Sequence, residues 1–173
     1  MLAQYLKPLA ENEFVIKDTQ KFPAMLQTLP PLQPDEEDVS YDVESLFTSV
    51  PVKDTIDHIC KEIYDNKKLQ PLCSRNIFKK LLLKVTTECI FSVNDCLYKQ
   101  TDGVAMGGPL SVVFTGCFLN KMENEIVKPL NPKFYRRYVD DTFVRRKKSD
   151  HDVLFERLNN FHPNIRLTSF DIL

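Results

Sequence analysis

The sequence predicts an α+β domain, an antiparallel sheet with helices packed on one face. Three observations carry this: hairpin signals at Asn94-Asp95 and at Asp140-Asp141, apolar residues at helical spacing in the stretches between and around them, and a strand pattern near Tyr41. The resulting order is strand, helix, helix, hairpin, helix, hairpin, helix, strand.

Residues 1–34 are the least patterned. A helix from Asp18 to Leu29, capped by Asp18, runs into the proline-rich stretch LPPLQP. Val39, Tyr41 and Val43 then alternate with Ser40, Asp42 and Glu44, so a strand carries Asp42 on the face opposite its apolar set. After Pro51, residues Ile56, Ile59, Cys60, Ile63 and Tyr64 form one helical stripe between Lys53 and Asp65. Ser74 caps a second helix to Thr87 with Ile77, Phe78, Leu81, Leu82 and Val85 inward. The hairpin IFSVNDCLYKQ follows. A glycine-bearing loop leads into a helix that buries Leu110, Val113, Phe114, Cys117 and Phe118 and ends at Pro129. FYRRYVDDTFV is the second hairpin, with Asp140-Asp141 as its turn. Ser149 and Asp152 resemble a capping box for a helix through Asn160, with Val153, Leu154, Leu158 and Phe161 inward, and Ile165 to Phe170 is a last strand.

Bulk properties set the class. With 173 residues, 43% hydrophobic and 27% charged, the chain reads as one globular domain. A net charge of −1 gives no global attraction to polyanions, so any basic surface is local. Five cysteines, Cys60, Cys73, Cys89, Cys96 and Cys117, form no C-x-x-C pair and read as reduced core thiols, which argues against zinc. His58, His151 and His162 do not cluster. No apolar run reaches membrane-span length and no signal-peptide pattern opens the chain, so the expectation is an intracellular protein without a membrane partner. A nuclear location is compatible with this, and oligomeric state is not legible.

Two adjacent carboxylates at a hairpin tip repel one another unless a cation lies beside them. If the strand of Asp42 neighbours the hairpin, three carboxylates meet. That is the arrangement for two divalent ions about 3.5–4 Å apart that clamp the attacking and leaving oxygens of a phosphoryl transfer. Mg2+ or Mn2+ suits such oxygen ligands. Gly103, Gly107 and Gly108 allow close backbone approach to a base pair or a phosphate.

The segments D-V-x-S-L-F-T-S-V-P, F-S-x-N-x-x-x-Y-x-Q-x-x-G-V-A-M-G-G-P-L-S and R-Y-V-D-D-T-F-V resemble motifs A, B and C of reverse transcriptases. Their wording is most similar to Penelope-like retroelements. The resemblance spans roughly Asp35 to Thr168. It implies a right-hand polymerase palm with partial fingers: residues 1–34 would be a fingers remnant, and residues 35–173 a palm truncated before the thumb. It also implies RNA-directed DNA synthesis from dNTPs on an RNA or DNA template with primer. On this resemblance Asp42, Asp140 and Asp141 are the catalytic metal ligands, joined by the backbone carbonyl of Val43. Phe47 is the aromatic that blocks a ribose 2′-hydroxyl, and Ala105, Met106 and Gly107 face the incoming nucleotide. Apart from the resemblance, Arg136 and Arg137 before the hairpin and Arg145 and Arg146 after it are placed to neutralise template-primer phosphates, with Gly108 and Tyr138 assigned to the same surface. A charged outer face of the hairpin is the other reading of these arginines. Met106 replaces a common glutamine, as is usual in the Penelope-like group, and Val112 replaces a common proline. The competing readings are an inactive retroelement remnant that only binds nucleic acid, and a nucleotidyl-cyclase-like palm enzyme; Phe47 and the motif B loop favour the polymerase.

Overall fold

A computed structural model describes residues 1–88, 90–100 and 102–172, with residues 150–152 described by their backbone alone. Cys89 and the side chains of His151 and Asp152 therefore lie outside the described residues, and with Asp152 goes the capping-box partner expected for Ser149. In chain order the elements are α1 (Leu2–Ala10), a 3-10 turn (Thr19–Lys21), α2 (Phe22–Gln27), β1 (Glu36–Val43), α3 (Leu46–Ser49) and α4 (Val52–Cys60) with a π-helical turn (Lys61–Asp65). Then come α5 (Arg75–Thr87), β2 (Ile90–Val93), β3 (Cys96–Lys99) and α6 (Pro109–Met122) with a second π-helical turn (Glu123–Val127) and α7 (Lys128–Leu130). β4 (Phe134–Tyr138), β5 (Asp141–Lys147), a 3-10 turn (Lys148–Asp150), α8 (His151–Asn159) and β6 (Leu167–Asp171) complete the order. These form two units, Met1–Glu11 with Ser45–Lys121, and Asn12–Glu44 with Met122–Leu173.

The second unit holds a four-stranded antiparallel sheet in the order β4-β5-β1-β6. Phe14 to Ile16 adds a short parallel bridge at the β4 edge, where Arg137 N donates to Phe14 O and Ile16 N donates to Arg137 O, both at 2.8 Å. Strand alternation sorts the two faces as the sequence predicts. Val39, Tyr41 and Val43 are buried, and Phe155 of α8 packs on Tyr41 with ring centroids 5.4 Å apart. Asp38, Ser40, Asp42 and Phe143 belong to the other face, where Phe22 of α2 meets Phe143 edge-on at 5.8 Å.

The regular elements among the described residues of the first unit are helices and the β2–β3 hairpin, whose Asn94 and Asp95 both take positive φ, at 50° and 61°, as a tight hairpin turn requires. Tyr5 and Tyr64 each meet Phe78 edge-on. The inward stripe of α5 is Phe78, Leu82 and Thr86, whereas Ile77, Leu81 and Val85 are exposed. The five apolar residues expected inward form a band wider than the face that the helix's neighbours cover, so periodicity marked the right side and overestimated its width. Each π turn tucks a glutamate inward. Glu62 accepts from Asn66 Nδ2 at 2.6 Å and pairs with Lys68, and Glu123 is fully buried. Cys60 and Cys117 are buried thiols, Cys73 is half-buried and Cys96 is exposed. Among the described residues, no helix is long and apolar enough to cross a membrane.

Candidate active site

β1 and β5 run side by side with Tyr41 opposite Thr142, so Asp42 and Asp141 are the next residues along their strands and share a face. Asp140 precedes Asp141 in the turn that closes the β4–β5 hairpin. That turn is Val139-Asp140, one residue earlier than the sequence predicts. Register decides this: pairing Tyr135 with Val144 and Arg137 with Thr142 puts all four buried side chains on the helix-covered face, which makes Tyr138–Asp141 the last ladder pair. Asp42 and Asp140 are half-buried and Asp141 is exposed. Partial desolvation, then the negative charges of Asp140 and Asp42, push the Asp141 carboxyl above its ordinary value.

The donor set of three carboxylates with the Val43 carbonyl suits a hard divalent cation such as Mg2+ or Mn2+. Among the described residues, no three His, Cys, Asp or Glu side chains converge closely enough to hold an ion. The donor types match a hard divalent cation, but the described residues do not bring three of them together as a site.

Val139 has φ +57°, a left-handed conformation that strains a β-branched residue by about 1–3 kcal/mol. Arg137, 3% exposed, donates from Nη1 to the Val139 carbonyl at 2.9 Å. Its Nε and Nη2 donate to Glu123 Oε1 and Oε2 at 2.5 and 3.2 Å. Asn12 Nδ2 donates to Glu123 Oε2 at 2.6 Å, and the Tyr135 hydroxyl approaches Oε1 at 3.4 Å. Burial works against the Arg137 charge, but Glu123 more than compensates and raises its pKa. Burial and the Glu123 charge hold the Tyr135 hydroxyl well above the ordinary phenol value. Sequence reading missed Glu123 and Asn12. Four residues, Met122-Glu123-Asn124-Glu125, contain two acids, and the π turn shifts the helical phase that would have told them apart.

The basic residues around the hairpin divide by placement. Arg136 is half-buried, with its guanidinium 5.0 Å from the Phe134 ring centroid, and Tyr138 is 48% exposed. Arg145 is buried, bonded to both Asp38 oxygens and to the Pro30 carbonyl. Arg146 is buried against Tyr41 and pairs with Glu37. Arg137, Arg145 and Arg146 thus point into the protein with partners of their own, whereas the sequence placed them along a template and primer path.

In the first unit, Phe47 of α3 is half-buried and its carbonyl accepts from Val104 N at 2.7 Å, which binds the glycine loop to the backbone of α3. Gly103 has φ +69° and lies against the Phe47 and Thr48 carbonyls. Beyond it Ala105 is half-buried, Met106 is 70% exposed, Gly107 is exposed and Gly108 is half-buried beside Ser111. The Phe47 segment and the loop are therefore neighbours.

No family model matches the chain, and no curated protein does. Among solved structures, it is similar to telomerase from Candida albicans in complex with a TWJ fragment of telomeric RNA, with TM-score 0.71 and 14% identity over 99% of this chain and 35% of that one. It is also similar to apo telomerase from Candida tropicalis truncated from its C-terminal domain, with TM-score 0.69 and 16% identity over 99% of this chain and 39% of that one. The chain thus spans little more than a third of these proteins' length, and at this identity the likeness shows the fold. That fold is reverse-transcriptase-like, of the polymerase palm type.

Proposed function

We propose that the chain is the palm portion of an RNA-directed DNA polymerase from a Penelope-like retroelement, acting on dNTPs and on a primer paired to an RNA or DNA template. The observation that carries this reading is the placement of Asp42 beside the Asp140-Asp141 hairpin, on one face of an antiparallel sheet with a reverse-transcriptase-like fold. Two bound Mg2+ or Mn2+ ions would supply an activated primer 3′-hydroxyl and charge stabilisation on the triphosphate. Asp42, Asp140 and the Val43 carbonyl would hold them, with Asp141 as the outer carboxylate. Phe47 would exclude a ribose 2′-hydroxyl, and Ala105, Met106 and Gly107 would border the nucleotide. Arg136, Tyr138 and Gly108 would meet the template-primer. The three motif segments in order support the polymerase reading, and their wording supports the Penelope-like one.

The test is extension of a labelled DNA primer on an RNA template with Mg2+ or Mn2+, comparing the natural chain with Asp140→Ala. Incorporation that Asp140→Ala abolishes is the expected result. A cooperatively folded natural chain that incorporates nothing overturns the activity of this chain.

A further inference from the structure

We propose that Arg137 is the positioning residue of the carboxylate turn: with Glu123 offsetting its charge, it fixes the Val139 carbonyl from the helix-covered face and so sets where Asp140 presents its oxygens. This rests on the reading of Asp42, Asp140 and Asp141 as a divalent-cation site.

The geometry supports this in three ways. The turn has only two residues, and Val139 is left-handed, a region that a β-branched residue leaves when released. The planar guanidinium spreads its donors, Nε and Nη2 on Glu123 and Nη1 on Val139, so one group spans the core and the turn. The positive charge of Arg137 lies near enough to Asp140 to interact with it, and would compete with a cation were Glu123 not paired to it. Stability alone does not account for the network, because apolar side chains of similar volume often replace a buried ion pair without loss. What hydrocarbon cannot supply is a donor to the turn carbonyl.

The experiment measures Mn2+ binding to the full chain from the electron paramagnetic resonance of free Mn2+, with thermal unfolding alongside. Asp140→Asn identifies the binding that belongs to the site. Arg137→Lys keeps the ion pair but not the fork. It is expected to unfold cooperatively and to weaken Asp140-dependent Mn2+ affinity about tenfold. Adding Val139→Gly, which adopts the left-handed turn freely, is expected to recover most of that affinity. The double variant Glu123→Gln, Arg137→Met removes both charges at similar volume. It should show the same loss, and it decides the matter if the lysine is not accommodated. Unchanged affinity in either folded variant overturns the proposal and leaves the cation-site reading intact. A loss that Val139→Gly does not recover also overturns it, because loosening of the core would then be the cause. Mn2+ binding by the natural chain that ignores Asp140→Asn overturns the cation-site reading, and this proposal with it.

Discussion

Asp38 and Arg145 stand opposite one another in the β1–β5 register and are joined by two parallel hydrogen bonds, Nε to Oδ1 and Nη2 to Oδ2, each 2.7 Å. Both side chains are mostly covered, at 16% and 10% exposure, so water solvates neither charge fully. Arg145→Ala leaves Asp38 unpaired and is expected to lower stability by roughly 3 kcal/mol. Arg136→Ala removes a half-buried side chain and should stay within about 0.5 kcal/mol. Urea unfolding checks this ranking. Under the proposed function the ranking reverses for primer-template binding, with Arg136→Ala reducing the slope of log affinity against log salt by about 1.

Gly103 and Gly107 both have positive φ, +69° and +83°, but their surroundings differ. A Cβ on Gly103 would come within 2.6 Å of the Phe47 carbonyl oxygen, where backbone cannot yield, whereas nothing lies within 4 Å of one on Gly107. Gly103→Ala is expected to lose more than about 2 kcal/mol, and Gly107→Ala about 1 kcal/mol from backbone strain alone. Thermal unfolding of the two variants measures the difference.

Glu62 gives the chain a pH-dependent contribution. Desolvation raises its pKa, but hydrogen bonds from Lys68 and Asn66 outweigh this and leave it below the ordinary 4.5. A carboxylate with a depressed folded pKa stabilises the fold above its unfolded value, and that stability is lost as pH falls through the folded one. Glu62→Gln is therefore expected to be less stable by about 1 kcal/mol at pH 7, since Lys68 is half exposed and screened. The difference should shrink as pH drops below 4.5. Urea titrations at neutral and strongly acid pH check the sign.

Where local pattern and tertiary packing agree, the sequence was a good guide. Val39, Tyr41 and Val43 alternate with Asp42 because one sheet face is covered, and covering a face imposes a period of two. The Asn94-Asp95 turn was legible because its chemistry is local. Val153, expected inward with Leu154 and Leu158 on α8, is 46% exposed, since apolar spacing marks a band and neighbouring elements choose how much of it to cover. Pro129 does not stop its helix; it sits in the first turn of α7, which ends at left-handed Asn131. In the candidate site, the carboxylates were legible from adjacency and strand placement. Arg137, Arg145 and Arg146 were not. Arginines on alternate faces of a hairpin look alike in sequence, and the acids that draw them inward, Glu123, Asp38 and Glu37, lie more than a dozen to about a hundred residues away.

β1 is an interior strand because β6 pairs with it from Val39 to Val43, on the side opposite β5. Those few residues of β6 turn what would be an open row of amides and carbonyls beside Asp42 into closed ladder positions. Without them the strand would be a template for intermolecular strand addition, and the segment most exposed to it would be the one carrying the candidate metal ligand. Among the described strands β6 thus takes over the edge position and keeps the segment of Asp42 off it.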